Sequence, residues 1–68
     1  MNMTLVESSN VESVGYAGST LYVSFRSGSE YAYAGVPYEI YKGLLESQSK
    51  GRYLHANVYG TYAFRRIR

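Results

Sequence analysis

The 68-residue sequence has no cysteine, no aspartate and no tryptophan, and a single proline. Each absence removes a class of chemistry. Without cysteine there is no disulfide to staple a small chain, no thiolate zinc site and no thiol nucleophile. His55 is the one histidine, and with no aspartate to join it, a metal centre or a catalytic set has too few parts. The glycines are scattered as turn punctuation, and none forms a phosphate-cradling loop. No apolar run approaches the roughly 18–20 residues that cross a bilayer. The start, MNMTLVESSNVES, lacks the basic and apolar stretches of a signal peptide. The expectation is a cytoplasmic binding protein: no enzyme, no cofactor, no metal, no membrane partner.

What is abundant is tyrosine: nine, with two phenylalanines beside them. A chain this short is one domain near the size at which a core barely offsets conformational entropy. Large rings bury more area per residue than aliphatic side chains and make up part of that deficit. Self-association is the other available device, which leaves a homo-oligomer open. The domain is read as residues 1–68, with 1–8 and 65–68 as loose ends.

The pattern of apolar residues predicts an α+β fold. NVESVGY (10–16) reads as a strand packing through Val11, Val14 and Tyr16. AGST (17–20) is a turn. LYVSFR (21–26) alternates, with Leu21, Val23 and Phe25 on one face and Tyr22, Ser24 and Arg26 on the other. SGS (27–29) turns the chain into a third strand, EYAYAG (30–35), giving a three-stranded antiparallel meander. Val36-Pro37 then opens a helix over roughly 37–48. Its apolar stripe is Tyr38, Ile40, Tyr41, Leu44 and Leu45, and Gly43 falls near the polar face. RYLHANV predicts a second, short helix with Leu54 and Val58 inward. YGTYAFRRIR (59–68) fits either a fourth strand or a basic arm.

The register of the second hairpin decides which way Tyr31 and Tyr33 point, because a slip of one residue exchanges the faces. A two-residue turn places both rings on the open face with Tyr22 and Arg26, as a platform for stacking bases. It also puts Glu30 on the core face, where an unpaired carboxylate costs several kcal/mol. A three-residue turn at Ser27-Gly28-Ser29 pairs Arg26 with Glu30 on the open face, sets Tyr31 against Phe25 and Tyr33 against Val23, and is the favoured register.

The ordered segments SSNVESVGY (8–16), LYVSFRSGSEYAYAGVP (21–37), YKGLLES (41–47), SKG (49–51) and YLHANV (53–58) resemble the KTSC domain. This is a short module found at the C-terminus of some lysyl-tRNA synthetases and as a stand-alone bacterial or phage protein. The Tyr-x-Tyr pair followed by Val-Pro is its most recognisable part. The resemblance implies RNA binding, through the synthetase association, and carries no set of functional residues. After the Gly-x-Tyr of 51–53 the family usually has Phe-Asn, where this chain has Leu54-His55. Tyr59 stands where the family tends to have a basic residue, which removes a phosphate contact from that segment.

Net charge is only +2, but it is unevenly placed. Residues 1–49 hold all five acids against Arg26 and Lys42, whereas residues 50–68 hold Lys50, Arg52, Arg65, Arg66 and Arg68 with no acid. Tyr53, Tyr59, Tyr62 and Phe64 are interleaved with these cations. Arginine with tyrosine suits two partners: phosphates and stacked bases, or a protein–protein hot spot. The candidate contact residues are therefore Tyr22, Arg26, Lys50, Arg52, Tyr53, Tyr59, Arg65, Arg66 and Arg68. Two partner classes follow. One is RNA or single-stranded nucleic acid; the other is a protein, as for a phage or prophage-encoded regulator or inhibitor of a host protein. Ser49 and Lys50 would add a phosphate contact if a helix began after Gly51, although a plain helix stop is the commoner meaning of SQSKG.

Overall fold

The structure, a computed structural model, describes residues 3–68. Five antiparallel strands lie side by side in chain order: β1 (Thr4–Leu5), β2 (Val11–Ala17), β3 (Thr20–Phe25), β4 (Glu30–Tyr33) and β5 (Phe64–Arg66). Two helices, α1 (Tyr38–Glu46) and α2 (Lys50–Asn57), come between β4 and β5. The expected meander is β2-β3-β4. It is extended at one rim by β1 and at the other by β5, which resolves the 59–68 segment in favour of a strand.

Glycine positions set both hairpins. Ala17 pairs with Thr20, and Gly18, at φ 62°, supplies the positive φ that a two-residue hairpin turn requires. In the second hairpin Phe25 N–H donates to Ser29 C=O at 2.8 Å and Gly28 N–H to Phe25 C=O at 2.9 Å. The turn is three residues long, as expected, but it comprises Arg26-Ser27-Gly28 and not Ser27-Gly28-Ser29. The last residue of such a turn takes positive φ; Gly28, at φ 101°, accepts it and Ser29 would not. Pairing therefore shifts by two residues: Val23 faces Tyr31 and Leu21 faces Tyr33. An even shift keeps every side chain on its expected face. Tyr31 and Tyr33 lie on the helix-covered side.

The expected Arg26–Glu30 pair does not form in this register. Arg26 Nε donates to Ser8 C=O at 2.8 Å, and Glu30 meets Arg68 at 3.4 Å. A second irregularity, a bulge between Val11 and Ser13, explains how Val11 and Val14 pack on one face at a spacing that simple alternation forbids.

Val11, Val14, Leu21 and Val23 floor the core, and Val36, Leu44, Leu54 and Val58 close it from above; all eight are essentially inaccessible. Val36 is locked from two sides. Its N–H donates to Ser19 C=O at 2.8 Å, and its C=O accepts from the Tyr16 hydroxyl at 2.5 Å. Helix α1 is shorter than expected. Ser47 returns both its N–H and its hydroxyl to Leu44 C=O, and Lys50 Nζ donates to the carbonyls of Leu45 (3.2 Å) and Ser47 (2.5 Å). Ser49 caps α2 by accepting from Arg52 N–H, so this helix starts before Gly51, not after it. Gly43 is not on a polar face: a Cβ there would stand 2.9 Å from Cζ of Tyr53, whose ring lies across the α1 backbone.

Candidate functional site

The basic residues that run together in sequence separate in space. Strand alternation turns Arg65 to the open face, opposite Ala32, and Arg66 to the helix side, opposite Tyr31. Tyr22 shares Arg65's face in the cross-strand row Gly15, Tyr22, Ala32, Arg65. Arg68 pairs with Glu30, the one ion pair among the described residues. Arg26 is tied to Ser8 and Lys50 to the end of α1. Arg52 is exposed on the first turn of α2, and Tyr53 is half-buried against Gly43. The nine candidates thus occupy four places: the β5 rim, the α2 start, the β3–β4 turn and, for Tyr22, the middle of the open sheet face.

On the helix side, beyond the reach of α2, the rings of Phe25, Tyr31, Tyr33, Tyr59 and Phe64 with Gly60 enclose a cup of about 280 Å³. Strand parity and the chain's exit from α2 assemble it. Tyr31 and Tyr33 alternate inward on β4, Phe64 pairs with Tyr33 on β5, and Tyr59 follows the end of α2. Phe64 lies 5.7 Å, centroid to centroid, from both Tyr31 and Tyr33, and Tyr31 the same distance from Phe25. Tyr59 touches Tyr33 at 6.0 Å and His55 at 4.8 Å.

The cup is apolar with phenols at its floor. Burial, reinforced by the neighbouring phenols of Tyr59 and Tyr31, pushes the Tyr33 hydroxyl up to about 12. Burial raises Tyr59 as well. Both hydroxyls stay protonated at neutral pH, so the cup offers neutral donors and acceptors and no charge.

Phe64 is 64% exposed, although it belongs to a strand. Arg65 and Arg66 beside it are exposed too, and Ile67 is 46% exposed. Arg66 makes two weak contacts, Nε to Arg68 C=O at 3.2 Å and Nη2 to Ser29 Oγ at 3.3 Å. Arginines, an open ring and a cup therefore meet at one sheet rim. Of the nine candidates only Tyr59, Arg65, Arg66 and Arg68 come together there. Phe25, Tyr31, Tyr33 and Phe64 join them without having been candidates. Phe64 was legible as an apolar residue followed by two arginines; the others look like core until the helices are seen to stop short of them.

The second surface, a shallow depression of about 380 Å³ at the α2 start, is lined by Glu7, Ser8, Ser9, Asn10 and Lys50 among others. Ser49 and Lys50 spend their polar atoms on the two helix ends, and Glu7 opposes an anion there.

Comparison with known proteins agrees with this architecture. The model of the KTSC domain matches residues 7–62. A protein of Tsukamurella paurometabola is 40% identical over 58 residues, covering 82% of this chain and 87% of that protein. One from Stutzerimonas stutzeri is 39% identical over 57 residues, covering 81% and 80%. The crystal structure of a KTSC domain protein from Yersinia pestis superposes with a TM-score of 0.91 at 31% identity, covering 98% of this chain and 97% of that one.

Proposed function

The chain belongs to the KTSC domain family, and from that premise we propose that it is a non-catalytic binding module whose contact surface is the β5 rim. The observation that carries this reading is Phe64: a large ring left 64% exposed on an edge strand, followed by Arg65 and Arg66 and opening onto an aromatic cup. Soluble domains usually blunt edge strands with charge and keep aromatics off them. An exposed ring with arginines beside it has the composition of a hot spot.

A protein is the partner this arrangement favours. Non-specific nucleic-acid binding needs cations strung along a groove that follows the backbone. Here Lys50, Arg26 and Arg68 already hold partners, and Arg65 and Arg66 turn to opposite faces. Single-stranded RNA is the second reading, and Phe64 supports it as well: a base stacked on the open ring would bring its phosphate near Arg66.

The two separate by salt and by residue. The protein reading expects retention of a partner protein that survives 0.5 M salt and falls at least tenfold in Phe64→Ser. The RNA reading expects binding of mixed-sequence RNA at low salt that collapses as salt rises, and in Arg65→Ala/Arg66→Ala. If Phe64→Ser and Arg65→Ala/Arg66→Ala, both folded by circular dichroism, keep every interaction of the parent, the β5 rim is not the contact surface.

A further inference from the structure

Resting on the β5-rim reading, we propose that the free edge of β5 takes up an extended, acidic segment of a partner protein as a sixth strand of the sheet. The backbone sets the geometry. Ala63 C=O accepts from Ala34 N–H at 2.9 Å, and Ile67 N–H donates to Glu30 C=O at 2.7 Å, while Arg65 stands opposite Ala32. In an antiparallel ladder alternate residues bond to the same neighbour. Ala63 C=O, Arg65 and Ile67 N–H therefore face β4, and at the end of the ladder Arg68 C=O, not Ile67 C=O, takes the Glu30 N–H at 2.8 Å. The N–H and C=O groups of Phe64 and Arg66 point away from the sheet, where no other element of the described residues pairs with them. They are a template for one more strand.

Side chains select the occupant. An incoming strand alternates its side chains between the two faces. On the helix side it meets Phe64, the rim of the cup and Arg66; on the open face it meets Arg65. An apolar side chain suits the first position and carboxylates suit the guanidinium groups. A second copy of this chain fits poorly, because β5 against β5 crowds four guanidinium groups onto one short edge, and centring the pair on Arg65 or Arg66 sets arginine directly opposite arginine. Charged residues on an edge often serve only to prevent pairing. That role is at odds with Phe64, since an exposed aromatic on the same edge invites contact, and like charges exclude only like partners.

The test uses the full chain and a fluorescent heptapeptide, Glu-Glu-Glu-Phe-Glu-Glu-Glu, which sets its Phe against Phe64 and glutamates against Arg65 and Arg66 in either strand direction, read by anisotropy, with hydrogen exchange on the amides. Saturable binding is expected, with added protection at the Phe64 and Arg66 amides. Affinity should fall at least tenfold when every peptide nitrogen is methylated, or when lysine replaces glutamate in the peptide. Arg66→Pro removes an outward N–H and leaves the β4 ladder whole, so it should lose more affinity than Arg66→Ala while staying folded. If the methylated peptide binds as well as the parent, but Arg65→Ala/Arg66→Ala abolishes binding, strand addition is wrong and the β5-rim reading stands. If neither methylation nor any β5 variant changes binding, both fall. Absence of peptide binding at millimolar concentration, with mixed-sequence RNA bound through the same residues, overturns the strand proposal in favour of nucleic acid.

Discussion

Gly43 and Tyr53 show how one missing side chain makes room for another. A glycine inside a helix costs about 1 kcal/mol relative to alanine, and here the cost is offset by letting the Tyr53 ring lie across α1. Gly43→Ala gains the helix propensity but forces the ring to move, an overpacking cost of about 1–3 kcal/mol. We expect it to lower stability in urea titration. In a Tyr53→Ala background the same substitution should instead raise stability by about 1 kcal/mol, because only the propensity term remains. A double-mutant cycle with one sign throughout would show that the two residues do not conflict. In the sequence, Gly43 reads as a tolerated weak spot; its purpose becomes visible only when α2 is placed beside α1.

At the scale of elements, the second hairpin has the most consequences. Its turn closes on Gly28 because glycine alone accepts the positive φ at that position, and the pairing of β3 with β4 follows from that. Gly28→Ala should cost about 1–2 kcal/mol, seen as a lower urea midpoint with an unchanged slope, and the pairing of Val23 with Tyr31 should persist. A changed slope would mean that the compactness of the folded or unfolded state had altered as well. The face of every β3 and β4 residue was readable from the cost of burying Glu30. The exact partners were not, since two three-residue turns share the same parity and only the glycine's φ separates them. Long-range pairings were harder still. That Arg68, and not Arg26, would meet Glu30 depends on β5 lying beside β4. Nothing in the local pattern of 59–68 fixes this, and the basic cluster splits for the same reason: neighbouring residues on a strand face opposite ways.

For the molecule as a whole, reliance on phenols in place of disulfides ties stability to alkaline pH. Tyr33 is 4% exposed, and its hydroxyl rises from the ordinary 10.0 to about 12. Between those values the folded chain retains a proton that the unfolded chain has lost, so stability that is complete below pH 10 declines until about pH 12. The loss from this group is on the order of 2 kcal/mol. Tyr59 and Tyr53, raised by burial as well, act in the same direction. Stability measured by denaturant titration from pH 9 to 12 should therefore fall, and Tyr33→Phe should flatten the fall; an equal slope in the variant would rule out Tyr33 as a main source. The described residues contain no helix long and apolar enough to cross a membrane. The chain-order sheet also has a practical use. Adjacent strands lie about 4.8 Å apart, so the rims at β1 and β5 are separated by about 19 Å. A protein tethered to a sensor chip ahead of β1 would present β5 to the flowing analyte, whereas a tag fused after Arg68 would crowd the surface being assayed.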